Sequence, residues 1–172
     1  MVEIVDVVND NDKIIGKTSK SLCHKYALLH RDSKILTFKD YSLKEIVLQK
    51  RPMNLKRNPG KIVLPGGHVD TGETYLQAAK RENMEEMHVD EKSLNLKFEK
   101  LFKIKIPDDE DYLFVTVYKD IDSGPFHPDH EEVDSYFFAD IDKLEKDMDN
   151  HPNKYTFGTI LILKEYKLYI SQ

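Results

Sequence analysis

The sequence contains a single cysteine, Cys23, among its 172 residues. One cysteine cannot form an internal disulfide, and this scarcity is typical of proteins kept in a reducing compartment. The chain also lacks a run of about 18 apolar residues, which a membrane-spanning helix requires. Its first residues, Met-Val-Glu-Ile-Val-Asp, have neither the basic region nor the apolar core of a signal peptide. These absences favour a cytoplasmic protein that does not enter a membrane.

An excess of positive charge is lacking as well, because the formal net charge is −5. We therefore expect no dedicated nucleic-acid surface. Hydrophobic residues make up 40% of the chain, as in globular proteins. The length suits one domain with a real core and is short for two, so residues 1–172 are predicted to form a single domain. A homodimer is compatible with this composition.

The spacing of apolar residues predicts the order of helices and strands. A β-hairpin is expected over residues 2–8 and 13–16, followed by a short helix over 19–26. Five further strands are expected over residues 35–38, 45–50, 95–106, 112–119 and 133–138. Helices are expected over 75–87, after Asp140 and over 155–170, the last with Phe157, Ile160, Leu161 and Lys164 towards the core. This order predicts a mixed-sheet α/β sandwich.

The predicted helix over 75–87 carries an unusual set of charges. Its start is marked by Thr74 and Gln77, which fit a capping box. Glu82, Glu85 and Glu86 stand at i, i+3 and i+4, so their carboxylates share one helical face. Each like-charged pair costs a few tenths of a kcal/mol unless a hard cation such as Mg²⁺ binds there. The opposite side is predicted to pack on the sheet through Leu76, Asn83, Met84 and Met87.

The residues before and after these glutamates complete a longer pattern. The stretch 67–89 resembles the Nudix box, G-x5-E-x7-R-E-U-x-E-E-x-G-U, in which U is aliphatic. Such spacing arises by chance in on the order of one in 10⁵ chains of this length. Two positions depart, since Asn83 replaces an aliphatic residue and His88 replaces the second glycine. The matching residues are Gly67, Glu73, Arg81, Glu82, Glu85, Glu86 and Val89.

The resemblance implies a fold and a set of roles. The expected fold is the Nudix-type α/β/α sandwich, with a mixed sheet and the N-terminal hairpin. Glu82, Glu85, Glu86 and the backbone carbonyl of Gly66 would hold Mg²⁺, for which Mn²⁺ is a substitute. The proton acceptor is left open among Glu85, Glu86 and the later pair Glu131 and Glu132. The remaining roles are a brace between Glu73 and Arg81 and substrate contacts by Arg51, Lys56 and His68.

The N-terminal pattern, with His24 and then Leu-Leu-His-Arg at 28–31, resembles the Nudix subgroup related to isopentenyl-diphosphate isomerase. In that subgroup a catalytic cysteine directly precedes the Gly-His of the box loop, and this chain has Gly66 there. A pair of glutamates on a later strand would fall at Asp111 and Leu113, and leucine can neither ligate a metal nor move a proton.

We therefore expect the isomerase chemistry to be lost. His24 and His30 resemble metal ligands of the isomerase subgroup, but without the cysteine and one glutamate they are predicted to have hydrogen-bonded structural roles. Cys23 is predicted to be a small buried hydrophobe. His127 and His130 are assigned no role. His68 is left open as a contact to substrate or to a second cation.

The sequence thus predicts a Mg²⁺-dependent hydrolase of a diphosphate linkage, with a nucleoside di- or triphosphate derivative as substrate. Two alternatives remain at this point. One is an isomerase-like enzyme, and the other is a Nudix domain that binds a nucleotide without catalysis. The second should have lost box carboxylates, and this chain keeps all of them.

Overall fold

The structure is a computed structural model that describes residues 2–88, 97–107 and 112–172. The predicted box end at Val89, the predicted strand start at residue 95 and Asp111 lie outside these ranges. Within them the strands are β1 Ile4–Val8, β2 Ile14–Ser19, β3 His30–Phe38, β4 Glu45–Lys50, β5 Ile62–Val63, β6 Glu99–Pro107, β7 Tyr112–Ile121 and β8 Ser135–Asp140. The helices are α1 Lys20–Lys25, α2 Tyr75–Met87, α3 Ile141–Asn150 and α4 Phe157–Ile170, with a 3-10 turn at Pro152–Lys154.

The strands form a two-stranded hairpin and a six-stranded mixed sheet. β1 and β2 pair antiparallel as the predicted hairpin. In the larger sheet, β3 runs parallel to β7 along its whole length, and β6 lies antiparallel to β7 at the edge. β4 pairs antiparallel with β8, and it touches β3 at one end and β5 at the other. A parallel pair among antiparallel ones confirms the predicted mixed sheet.

Helices cover both faces of this sheet. The largest apolar cluster joins the sheet residues Leu36, Phe38 and Leu48 to Ile162 and Leu163 of α4, and it also takes in α3. A smaller cluster joins Ile35 and Tyr118 to Ala79 of α2. Alternate residues of β3 therefore point to different helical layers. The arrangement confirms the predicted α/β/α sandwich. No helix in the described ranges is both long and apolar enough to cross a membrane.

The inward face of the last helix agrees only partly with the prediction, since the predicted Ile160 and Leu161 are partly buried against the core. α4 begins after Thr156, whose hydroxyl accepts a hydrogen bond from the backbone N–H of Thr159. Phe157 is 45% exposed and Lys164 is exposed. Residues 160–163 are all apolar, so periodicity alone is compatible with more than one inward face. The face that packs on the sheet carries Thr159, Ile162, Leu163 and Tyr166.

β3 is longer than the strand predicted over 35–38, because it begins at His30. Charged residues at 31, 32 and 34 obscured the strand, although the sheet accepts them. The backbone N–H of Ser33 donates to the carbonyl of Gly67. The box loop therefore supplies a hydrogen-bond acceptor to the edge of β3 that does not pair with β7. β8 also begins two residues later than the predicted 133, since the N–H of Val133 closes a turn onto Asp129.

The box helix has the predicted cap and part of the predicted buried face, since Asn83 and Met87 are buried. Thr74 and Gln77 form the capping box in both directions. Leu76 and Met84 lie partly exposed instead of facing the sheet. His88 ends the helix at a φ of −136°, so this position does not require the glycine of the box pattern. The buried positions of α2 are Ala78, Ala79, Glu82, Asn83, Glu86 and Met87.

Candidate active site

The loop of residues 65–69 runs along β3 like an added strand. Pro65 and Gly67 accept backbone hydrogen bonds from Ile35 and Ser33, at 3.0 and 2.9 Å. Gly66 has a φ of +109°, and a Cβ there would overlap the carbonyl oxygen of Ser33. A Cβ on Gly67 would lie 2.6 Å from the carboxyl carbon of Glu82. The two glycines therefore let the box helix bring a carboxyl group against the loop backbone.

The three predicted carboxylates occupy different environments. Glu82 and Glu86 are only 9% and 7% exposed, whereas the side chain of Glu85 is 57% exposed. Glu86 Oε2 accepts hydrogen bonds from the N–H of Gly66 at 2.9 Å and from Gln49 Nε2 at 3.1 Å. Glu85 instead turns to Arg81, whose Nη1 donates to its Oε2 at 3.0 Å. The shared helical face thus contains a buried pair and one exposed member.

Electrostatics make the buried pair costly without a cation. Burial, and next the charge of Glu86, raise the pKa of Glu82 to about 8, against the lowering influence of Arg81 and Lys34. Burial also raises the pKa of Glu86, while Lys34 and the hydrogen bonds from Gly66 and Gln49 act in the opposite direction. Two adjacent desolvated carboxyl groups beside a glycine carbonyl supply the hard oxygen donors that Mg²⁺ prefers. The residues present therefore fit the ion.

Arg81 connects the helix to the start of the box. Its Nε and Nη2 donate to the two carboxylate oxygens of Glu73 at 2.9 and 3.0 Å. Nη2 also donates to the carbonyl of His68, and Glu73 accepts from the N–H of Asp70. The hydrogen bond with Arg81 holds the pKa of Glu73 below its usual value. This bidentate pair bridges the loop and α2, in the geometry that a brace requires.

Lys34 is a site residue that the sequence reasoning missed. Its Nζ donates to the carbonyl oxygen of Gly66 and lies 3.5 Å from Oδ1 of Asp32. His30, Asp32 and Lys34 alternate along β3 with Ser33, whose hydroxyl contacts the carbonyl of Tyr75 in α2. The three therefore lie on the face of β3 opposite α2. Alternation could have revealed them, had the strand been predicted to begin at residue 30.

Three histidines from separate elements converge beside this loop. His24 of α1, His30 of β3 and His68 of the box loop have ring centroids 5.1 Å apart in every pair. One ligand nitrogen from each lies within 4.8 Å of the others. Burial lowers the pKa of His68 well below its usual value, and Lys20 and His30 add to this. Neutral imidazoles are ligands for transition cations such as Zn²⁺. The sequence did not predict this cluster.

The predicted phosphate contacts are only partly brought to the site. A cavity of about 330 Å³ opens beside His24. Arg51 is half-buried, and its Nε donates to the carbonyl of Arg57 at 3.4 Å. Lys56 is exposed and does not line the cavity, while its neighbour Arg57 does. The cavity is lined by Val2, Glu3, Ser19, Lys20, Ser21, His24 and Arg57.

The loop before β8 lies against the end of α2. The N–H of Asp129 donates to the carbonyl of Glu86, and the N–H of His127 donates to that of Met87. Glu132 is at the exposed rim of this loop, next to the box face. Partial desolvation, followed by the charges of Asp129 and Glu85, raises the pKa of Glu132. His130 points to the exposed side of the loop.

The structure also describes Gly66, Leu113 and Cys23, the positions used above to distinguish hydrolase from isomerase chemistry. Gly66 lies directly at the carboxylate pair, so no thiol stands there. Leu113 is buried in β7, opposite His30 in the strand register. Cys23 is fully buried in α1, as predicted, and burial raises the pKa of its thiol.

Known proteins resemble the chain in both sequence and fold. A family model described as the NUDIX domain matches residues 34–158. An isopentenyl-diphosphate Delta-isomerase of Serratia proteamaculans is 29% identical over 167 residues, which span 96% of this chain and 92% of that protein. An uncharacterized Nudix hydrolase of Yersinia pestis is 31% identical over 90 residues, or 52% of this chain and 48% of that one. The crystal structure of DR0079 from Deinococcus radiodurans matches with a TM-score of 0.80 at 18% identity, over 95% of this chain and 98% of that chain.

Proposed function

We propose a reaction for this chain, which belongs to the Nudix family of hydrolases. The proposed reaction is cleavage of a diphosphate linkage in a nucleoside di- or triphosphate derivative. The observation that carries the proposal is the buried pair Glu82 and Glu86 against the Gly66-Gly67 loop. The pair is unfavourable by itself and becomes favourable when a cation neutralises it. Hydrolysis at phosphorus needs this carboxylate set and requires no catalytic thiol.

Glu82, Glu86 and the carbonyl of Gly66 are the proposed Mg²⁺ ligands, with Mn²⁺ as a substitute. When bound, the ion would neutralise charge on the diphosphate oxygens and would lower the pKa of the attacking water. Gln49 and the N–H of Gly66 orient the carboxylate of Glu86. Glu85 is proposed as a further ligand at the exposed end of the same face, where Arg81 now holds it.

The proposed proton acceptor is Glu132, with Glu85 and Glu86 as the other candidates. A raised pKa suits a carboxylate that takes a proton near neutral pH. Glu132 stands at the rim, where a proton can pass to solvent. Glu86 is less suited, because its Oε2 already accepts two hydrogen bonds.

The proposed phosphate contacts lie around the cavity. Arg57 and Lys20 line it, and Arg51 supports the loop through the carbonyl of Arg57. Arginine and lysine here give a local positive charge in a chain whose net charge is negative. Arg51 and Lys56 stay proposed as substrate contacts outside the cavity lining, and His68 as a contact beside His24.

We also propose that residues before the family match belong to the same domain. The N–H of Thr71 in the box loop donates to the carbonyl of Ile4 in β1. Val5 forms an isolated antiparallel bridge with Asp70. The hairpin therefore packs on the box itself, which supports one domain over residues 1–172.

The test is a substrate screen with two box variants. Nucleotide sugars, dinucleotides, nucleoside di- and triphosphates and isopentenyl diphosphate are incubated with Mg²⁺ or Mn²⁺, and released phosphate and nucleoside monophosphate are measured. Glu85→Gln and Glu86→Gln should each lower turnover by on the order of 10²-fold. Glu145→Gln, at an exposed site on α3, is the matched control. Near-normal turnover of both box variants at limiting Mg²⁺ would mean that the carboxylate face is wrongly assigned.

An isomerase-like reaction is the second candidate, and the histidine cluster is the observation that favours it. Proton transfer at carbon needs a positioned acid and base, which neither Gly66 nor Leu113 supplies. We therefore expect no solvent deuterium in isopentenyl diphosphate after incubation with the protein. Deuterium incorporation that Cys23→Ser abolishes would reverse this choice and give the buried thiol a catalytic role.

A further inference from the structure

Lys34 contacts the backbone carbonyl oxygen of Gly66, which is also a proposed ligand of the divalent cation. Its ammonium group donates to the carbonyl oxygen of Gly66. Its side chain is 22% exposed, and Asp32 beside it is nearly buried. Glu86 binds the N–H of the same glycine from the other side. Gly66 thus stands between a carboxylate that faces its N–H and an ammonium group that faces its carbonyl.

The charge of Lys34 also acts on the buried carboxyl groups. It opposes the rise in pKa of both Glu82 and Glu86 that burial causes. Lysine is a compact point charge on a flexible stem, and it can therefore neutralise such a pair and move away when a stronger cation arrives. Asp32, with Oδ1 at 3.5 Å from Nζ, is a second acceptor within reach.

We propose that Lys34 is a tethered cation that holds the Gly66 carbonyl until a divalent cation displaces it. The inference rests on the proposed function, because it takes Gly66 as a cation ligand. The carbonyl oxygen has two lone pairs, but an ammonium group and an octahedral Mg²⁺ at about 2.1 Å on the same atom would crowd each other. Two cations a few ångströms apart also repel each other strongly in a partly buried site. Lys34 therefore weakens divalent cation binding and shifts towards Asp32 when the ion enters.

The experiment measures cation binding directly, without substrate. Mg²⁺ and Mn²⁺ dissociation constants are determined by calorimetry for the parent, Lys34→Met, Lys39→Met and Lys20→Met at fixed pH and ionic strength. Lys39 is paired with Glu45 at the surface, so its variant changes the net charge equally without touching the loop. Lys20 acts electrostatically on His68 and Glu132, so its variant tests the effect of a nearby lysine that does not contact Gly66.

Lys34→Met should bind the cation at least about 10-fold more tightly than the parent, since a like charge a few ångströms away is worth more than that at an effective dielectric constant of about 20. Lys39→Met should bind like the parent, and Lys20→Met should gain less than Lys34→Met. Equal affinity of the parent and Lys34→Met would overturn this inference and leave the hydrolase proposal intact. An absence of binding by both proteins would overturn the proposed cation site and this inference with it.

A second measurement uses the parent protein and covers the case in which Lys34→Met does not fold. Acetylation of lysine amines is followed by mass spectrometry with and without saturating Mg²⁺. Displacement from Gly66 should increase the labelling rate of Lys34, while the rate of Lys39 stays constant. A Lys34 rate that Mg²⁺ leaves unchanged or lowers contradicts displacement.

Discussion

Replacing Glu82 by glutamine should remove much of the pH dependence of folding stability in metal-free buffer. Burial and the neighbouring Glu86 raise the pKa of Glu82 from 4.5 to about 8. The folded protein therefore keeps a proton that the unfolded chain loses on passing pH 4.5. The stability that this proton contributes is full below pH 4.5 and falls as the pH rises to about 8. Glutamine keeps the oxygen that accepts from Arg81 and has no proton to lose.

The magnitude follows from the width of this window. Each pH unit is worth about 1.4 kcal/mol for one proton. Between an unfolded pKa of 4.5 and a folded value of about 8, the parent should lose on the order of 5 kcal/mol. Glu82 and Glu86 titrate as a coupled pair, so this loss belongs to both. His68 makes stability rise with pH below pH 6.5, because its lowered pKa means that the unfolded chain binds a proton there that the folded protein has released. The difference between parent and variant cancels that contribution.

The assay is urea unfolding of the parent, Glu82→Gln and Glu85→Gln at several pH values from 5 to about 8.5 in EDTA. Glu85 is the matched control because it lies on the same helix, contacts the same arginine and is exposed. The free energy of unfolding should fall with pH in the parent and in Glu85→Gln, and it should fall less steeply in Glu82→Gln, where only Glu86 of the buried pair still titrates. Mg²⁺ should then stabilise the parent more than Glu82→Gln. Parallel pH profiles for the parent and Glu82→Gln would refute the reasoning.

Two further substitutions test how the site is supported. Gly66→Ala should lower the free energy of unfolding by about 2 kcal/mol or more, because its Cβ would overlap the Ser33 carbonyl at a positive φ. Urea unfolding measures this loss. Gly16→Ala is the control, because a Cβ at that position meets open space. Asp12→Asn should cost about 1–3 kcal/mol, since Asp12 accepts from Arg31, Lys103 and Tyr75. Asp10→Asn, at an exposed ion pair, should change stability little, and an equal loss in both variants would show that the Asp12 contacts are unimportant.

Local signals in the sequence were enough for part of the fold. The cap of α2 depends on Thr74 and Gln77 alone, three residues apart, and it forms as predicted. The Glu73–Arg81 pair was expected from the resemblance to the Nudix box and is also present. The inward face of α4 was predicted only in part, because four consecutive apolar residues do not define a single stripe.

The site contains features that local spacing cannot supply. Helical periodicity places Glu82, Glu85 and Glu86 on one face, and it does not say that Arg81 turns the second one outward. The histidine cluster joins α1, β3 and the box loop, so it depends on tertiary packing. The contact of Lys34 with Gly66 likewise requires the loop to pair along β3, which became visible only in three dimensions.

The pairing of the box loop with β3 has a consequence for how substrate is received. Glycine-rich segments are normally the most pliable parts of a chain, and ordering them during binding reduces affinity. Here the backbone amides of Ser33 and Ile35 fasten the loop to a strand that also pairs with β7 over its full length. Opening the loop would break contacts of the central strand, so we expect the amides of Ser33 and Ile35 to exchange slowly with solvent. The entropy of the loop is therefore lost during folding, and the proposed diphosphate substrate would meet donors and acceptors that are already fixed in place.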